Sequence, residues 1–290
     1  MSRQPTIQKL AGERLHLSHG PIDVVLKAWG SADDVRKAHR AIMRGFPHVL
    51  PNLTEELKEL RKPIDRKPKV KGSITARMVR ATEPFADEFI TPMAAVAGAV
   101  AEALLELMLK AAPDLERAYV NDGGDIALHL TPGQTLTLGV AGDFTGGRVP
   151  ALNGSVVITN DMPVRGVATS GAQGRSFSLG IADSVTVLAA SAGATDAAAT
   201  LIANAVNVDS KVIERAPASE LDPDSDLGDR LVTTEVGRLP PEERAAALAA
   251  GRARAESYLA RGLICGALLS LQGETCAIGG DALALEGRAA

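Results

Sequence analysis

Ala118-Tyr-Val-Asn-Asp-Gly-Gly-Asp-Ile-Ala-Leu-His-Leu130 reads as two short extended runs joined by a glycine pair. Just before it, Pro92 to Ala112 has the composition of a long helix. Thr91 can cap that helix and Pro92 suits its first turn. Its alanine-rich face, containing Gly98, allows close packing on a sheet. Downstream, Asp125–Leu130 and Thr135–Val140 are expected to pair antiparallel around Pro132-Gly133. Working outward, Arg14–His19 and Ile22–Trp29 are β-leaning runs around Gly20-Pro21. Ser31 is placed to cap a helix running to about Arg44, and a second helix is expected over Thr54–Arg61. Ser155–Asn160 and Gly166–Thr169 are short extended runs. Ser184–Ala190 (SVTVLAA) reads as a buried strand, and Thr195–Val206 as a helix. A long surface loop is expected within Asp209–Gly237. Pro240–Arg261 reads as a helix with two glutamates in its first turn, and Leu263–Leu271 and Thr275–Ile278 as final strands. Interspersed helices and hairpin signals predict an α+β fold, a mixed or mostly antiparallel sheet with helices packed on it.

The chain has 290 residues, 46% of them hydrophobic, which is enough apolar material for a large core. A net charge of −4 and 3% aromatic residues argue against a nucleic-acid partner and against a base-stacking platform. Two cysteines, Cys265 and Cys276, make no disulfide framework and no four-ligand zinc site. The first residues show no apolar signal-peptide core. Met93 to Leu105, interrupted by Glu102, reads as too short and too polar for a bilayer span. The expectation is a soluble, cytoplasmic protein without a membrane partner. Arg61 to Lys71 (RKPIDRKPKVK) is a dense basic stretch that Pro63 and Pro68 keep from forming a regular helix. It reads either as a solvated linker or as a phosphate-facing arm.

Three segments carry candidate chemistry. Asn121, Gly123, Gly124 and Asp125 form either a tight hairpin turn or a wall that a ligand approaches closely. Ala168, Thr169, Ser170 and Gly171, followed by Arg175, supply small residues, hydroxyls and a cation able to reach a phosphate. Asp196 and Thr200 are one helical turn apart, so their oxygens share a face. A carboxylate and a hydroxyl are hard ligands that suit Mg²⁺. The plainer reading is a helix cap at Thr195 or Asp196.

N-D-G-G-D-I, then A-T-S-G, then S-V-T-V followed by T-D-A-A-A-T, stand in the order found in the ApbE superfamily, which the chain resembles. That superfamily contains the FAD:protein FMN transferases. More closely, the chain is similar to a smaller ApbE-related family in which S-F-S-L-G-I-A-D-S-V-T-V is typical. The resemblance implies a single compact domain over residues 1–278, with an FAD or FMN ligand between its halves; the last residues, 279–290, read as a tail. It implies that Ala168–Gly171 and Asn121–Asp125 line the flavin site. Asp196 and Thr200 match the residues that hold Mg²⁺, which would polarise the phosphoanhydride. The acceptor would be a Thr or Ser hydroxyl of a partner protein, with AMP released.

The chain departs from the transferases at Ser176–Asp183, where they carry a H-I-I-D-P-like run. No histidine stands here, and Asp183 is the one acidic candidate for a catalytic role. Three readings therefore stay open: Mg²⁺-dependent FMN transfer, flavin or nucleotide binding without transfer, and another small-molecule reaction on the same scaffold. Alanine-rich helices are compatible with a homodimer.

Overall fold

The structure is a computed structural model and describes residues 4–143, 151–174 and 176–279. In chain order its strands are β1 (Thr6–Leu10), β2 (Arg14–His19), β3 (Ile22–Trp29), β4 (Arg117–Asp122), β5 (Asp125–Leu130), β6 (Thr135–Asp143) and β7 (Ala151–Thr159). Then come β8 (Gly166–Ser170), β9 (Ser184–Ala189), β10 (Ile213–Pro217), β11 (Leu231–Val236), β12 (Gly266–Leu271) and β13 (Glu274–Ile278). The helices are α1 (Ala32–Gly45), α2 (Val49–Glu55), α3 (Leu57–Leu60), α4 (Ser73–Thr82), α5 (Val96–Ala111), α6 (Ala192–Ala205), α7 (Ala218–Leu221) and α8 (Pro241–Ala260). The fold is α+β, and every strand pair with an assigned register is antiparallel.

Two compact units emerge. The first comprises Met1–Leu136, Thr159–Ala168 and Ala189–Ala197; the second comprises Thr137–Ile158, Thr169–Leu188 and Ala198–Ala290. In the first, β1 to β5 are consecutive antiparallel neighbours, and the start of β8 lies beside β5 with Ile126 opposite Val167. Strand alternation decides the faces. Ile22, Val24, Leu26 and Ala28 of β3 point inward, as do Ala118 and Val120 of β4. The helices α1, α4 and α5 pack there, filling the core with Ile42, Phe46, Met78, Leu104 and Met108. Ser31 caps α1 by accepting from the Asp34 N–H at 3.1 Å, as the sequence predicts. Among the described residues one helix, Pro92–Ala111, is long and apolar enough to cross a membrane by length and composition alone. Half of its most apolar window is buried, and it packs on β4 and β5 as a core helix.

In the second unit β12 lies between β9 and β13, with Leu268 opposite Thr186 and Ala277. All six residues of β9 are buried. Helix α8 covers β12, and Gly251 brings its backbone onto Val206 and Leu269.

Several expectations are corrected. β5 does not pair with β6, because both its edges are taken, by β4 and by β8; β6 pairs with β7 instead. The helix expected over Thr54–Arg61 breaks at Glu56, whose carboxylate turns to accept from the Lys71 and Gly72 N–H groups and the Thr75 hydroxyl. Glu59 likewise accepts from the Lys69 N–H at 2.9 Å. The basic stretch is therefore a pinned loop, with Ile64 and Pro68 buried beneath it. Helix α6 begins at Ala192, before Thr195, so neither Thr195 nor Asp196 is its cap. Ser191 serves that end: its carbonyl accepts from the Thr195 N–H and its hydroxyl from the Ala194 N–H. The region Asp209–Gly237 contains the expected surface loop, residues 222–230, but also the β10–β11 ribbon with a bulge at Glu214/Arg215. Strand β1 and helix α4 are additional elements that carry no strong local signal.

Candidate functional site

The Asn121–Asp125 segment is a hairpin turn. Gly123 and Gly124 have φ of 64° and 118°, conformations that favour glycine, and Asp122 stands opposite Asp125 across the turn. Both glycine N–H groups are used within the protein. Gly123 donates to the Asp23 carbonyl at 3.1 Å, and Gly124 to Asn121 Oδ1 at 2.8 Å. What the turn offers outward is the open space over Gly124 and the half-buried side chains of Asn121 and Asp125. Asp122 points the other way, buried, and its Oδ1 accepts from the Asp23 N–H at 3.3 Å.

Asp196 stands at the start of α6 and faces the first turn of α5. Its Oδ2 accepts from the Gly98 N–H at 3.0 Å, and the Ala97 main chain also donates to it. These are the unpaired N–H groups that every helix start leaves over, and a carboxylate there is favoured by the helix dipole. The return contact runs the opposite way: Glu102 of α5 accepts from the Gly193 N–H of α6 at 2.9 Å. Each helix thus caps the start of the other. Gly98 makes the approach possible, because a Cβ there would sit 2.2 Å from the Ala192 carbonyl oxygen. Gly166 of β8 does the same from another side, against Ser191.

The electrostatics of Asp196 follow from that packing. Protein atoms fill the space around its carboxyl group although the residue keeps some exposed surface. Burial pushes its pKa up to about 7, the like charge of Asp122 adds to the rise, and the Gly98 and Ala97 hydrogen bonds oppose it. Asp196 and the N-D-G-G-D strand are therefore close enough to feel each other's charge.

Ala168 is fully buried on β8, and the register of that strand beside β5 would bring it opposite Asp125. In the second unit, the Thr169 hydroxyl bonds that of Thr186 on β9 at 2.9 Å, Ser170 ends β8, and a Cβ on Gly171 would collide with the Asp183 carbonyl. Thr200 lies on α6 and is partly exposed, as is Asp196, while Ala197, Ala198 and Ala199 between them are buried. Arg175 lies outside the described residues. Asp183 holds a hairpin: its Oδ2 accepts from the N–H of Gln272 at 2.5 Å, and its Oδ1 from the Gln173 amide at 3.3 Å. Gln272 has φ of 46°, a strained value for a residue with a Cβ, at the β12–β13 turn. Asp183→Ala is expected to cost about 1–3 kcal/mol. An unchanged urea midpoint would show that the hairpin does not depend on it.

Two histidines have local partners: His129 meets the Leu115 carbonyl, and His16 the Asp23 carboxylate. Cys265 and Cys276 are both free thiols.

A family model described as AbpE bacteria matches residues 7–277. The chain belongs to that family. Curated relatives carry the name UPF0280 protein. The one from Methanothrix thermoacetophila is 34% identical over 188 residues, 63% of this chain and 72% of that one. The one from Methanosarcina acetivorans is 33% identical over 49% of this chain, and the chain spans only 53% of that relative's length. Among solved structures, the ApbE protein of Thermotoga maritima is 12% identical with a TM-score of 0.48, covering 94% of this chain and 96% of its own. A variant of the flavin transferase ApbE of Vibrio cholerae is 14% identical with a TM-score of 0.47, covering 93% and 98%.

The sequence resemblance leads to the expectation of Mg²⁺ at Asp196 and Thr200. Among the described residues no three His, Cys, Asp or Glu side chains form a metal cluster. Mg²⁺ does not require three, since it keeps waters and takes phosphate oxygens beside one or two carboxylates. Asp196, with its pKa raised to about 7, and Asp122 repel each other, the like charge of Asp122 adding to the rise. The charge of Asp122 reaching Asp196, Gly98 as the point of contact and Glu102 as the return cap are features that sequence reasoning did not connect to Asp196. The available signal was Glu102 itself, an acid inside an apolar helical run.

Proposed function

We propose that the chain binds a flavin nucleotide with Mg²⁺ and transfers FMN from FAD to a hydroxyl of an acceptor protein. The observation that carries this reading is where Asp196 stands: at the start of α6, accepting from the Gly98 N–H at the first turn of α5 and within reach of the charge of Asp122 at the end of the N-D-G-G-D strand. Family membership and the order of the motifs support it. Asp196 would hold the metal, and from the sequence Thr200 joins it. Asn121, Gly123, Gly124, Asp125 and Ala168, with Thr169, Ser170, Gly171 and Arg175, are the residues proposed for the nucleotide. The metal supplies charge neutralisation of the diphosphate and polarisation of the anhydride. The acceptor hydroxyl oxygen bonds to the FMN phosphorus and gives up its proton to water, the bond from that phosphorus to the bridging oxygen breaks, and AMP leaves with that oxygen. We place the protein in the cytoplasm, and a homodimer is compatible with the reading.

A second reading, flavin binding without transfer, is favoured by one observation. Ser176–Asp183 lacks a histidine and is tied into the fold by Asn204, Arg215 and Gln272. One experiment separates the two. Protein, FAD and Mg²⁺ are incubated with Ser- and Thr-bearing acceptors, and AMP and acceptor-bound FMN are measured. Transfer should appear and should fall about a hundredfold or more in Asp196→Ala, for loss of several kcal/mol of metal stabilisation. FAD binding without AMP selects the second reading. Neither binding nor AMP sinks both.

A further inference from the structure

Glu102 lies one helical turn beyond Gly98 on α5, with its side chain only 19% exposed. Charged side chains are seldom buried without a partner. One carboxylate oxygen accepts from the Gly193 N–H at 2.9 Å; the other lies 3.5 Å from Arg77 of α4. Arg77 is itself held by Glu106, which also pairs with Lys110. Gly193 is three residues before Asp196, in the same helical turn. The backbone contact at Gly98 stops the start of α6 from moving closer to α5, and the Glu102 hydrogen bond stops it from moving away. Those two limits together fix where the Asp196 carboxylate stands against the first turn of α5.

We propose that Glu102, oriented by Arg77, is a positioning residue for Asp196: by capping α6 from α5 it sets the carboxylate that meets the metal. This rests on the reading of Asp196 as a metal ligand. An ordinary stabilising cap would make the same hydrogen bond, so the test must separate position from stability.

The full chain is compared with Glu102→Ala and Glu102→Gln by two measurements. Hydrogen exchange follows the Gly98 amide, which donates to Asp196, against the Leu104 and Leu105 amides further along α5. Calorimetry follows binding of Mg²⁺ alone. In Glu102→Ala, Gly98 protection should fall about tenfold relative to Leu104 and Leu105, and Mg²⁺ affinity about ten- to a hundredfold, as for other groups that orient a ligand. Glu102→Gln keeps an oxygen for the Gly193 N–H and should hold both within about threefold. Uniform loss of protection along α5, or unchanged Gly98 protection, overturns the proposal. If the parent chain binds no Mg²⁺, the metal reading fails while the Gly98 exchange still decides positioning. Should Glu102→Ala not fold, Arg77→Gln releases the orienting partner alone and should lower Gly98 protection in the same selective way.

Discussion

Gly98→Ala is expected to destabilise the protein by about 3 kcal/mol, at the upper end of what one added methyl does in a packed interior. Two effects oppose each other. Alanine is the better helix former, by about 0.8–1 kcal/mol over glycine. Against that, the new Cβ would stand 2.2 Å from the Ala192 oxygen and 2.5 Å from its carbonyl carbon. Both are main-chain atoms, so no side chain can rotate away. The starts of α5 and α6 would have to separate, stretching the Gly98–Asp196 and Gly193–Glu102 hydrogen bonds together. Steric repulsion therefore outweighs propensity. Urea denaturation of the parent and variant measures the difference. A variant as stable as the parent, or more stable, would mean that the two helices do not meet as closely as the structure has them.

Local rules made much of the architecture legible before any coordinates. Ile22 to Trp29 alternates strictly enough to give strand and inward face at once, and Ser31 announces α1 through its capping oxygen. Pairing partners were less legible. Pro132-Gly133 looks like the turn of a hairpin, yet β5 satisfies its second edge with β8, some forty residues on in sequence. Proximity in sequence is a prior that a free distant strand overrides. Helix α4 escaped notice because S-I-T-A-R-M-V-R-A-T has β-branched residues and no capping side chain; tertiary packing on α5, not propensity, makes it helical.

The candidate site divides the same way. Asp196 and Thr200 both lie on α6, where a helical repeat sets them one turn apart. The glycine pair was visible too, and the structure shows its hairpin turn; its part in a ligand wall belongs to the proposal. Asp122 reads from the sequence as one of the oxygens beside the glycine gap, with Asn121 and Asp125, but strand alternation sends it to the opposite, buried face, away from the turn's open side. Glu102 read as an interruption of an apolar run. Its partner, Gly193, is 91 residues away, and no periodicity within α5 could name it.

Without metal, Asp196 should make the protein less stable as the pH rises, which is the reverse of the usual carboxylate effect. The sign follows from where the proton sits. In the unfolded chain an aspartate titrates near its ordinary value of about 3.9; in the folded protein this one is pushed up to about 7. The folded state therefore binds a proton that the unfolded state has already lost. The group's contribution is fully present below about pH 4 and disappears as the pH climbs through about 7. Asp196→Asn removes the titration while keeping an oxygen for the Gly98 N–H. In a metal chelator the variant should match the parent near pH 4.5 and exceed it in stability at pH 8. Added Mg²⁺ should cancel that advantage, because it stabilises the ionised carboxylate of the parent and finds no charge in the variant. Urea denaturation at the two pH values, with chelator and with Mg²⁺, reads all four states. A parent–variant difference that does not change with pH would remove the buried, repelled carboxylate on which the proposed chemistry depends. A difference that changes with pH but not with Mg²⁺ would keep the burial and discard the metal.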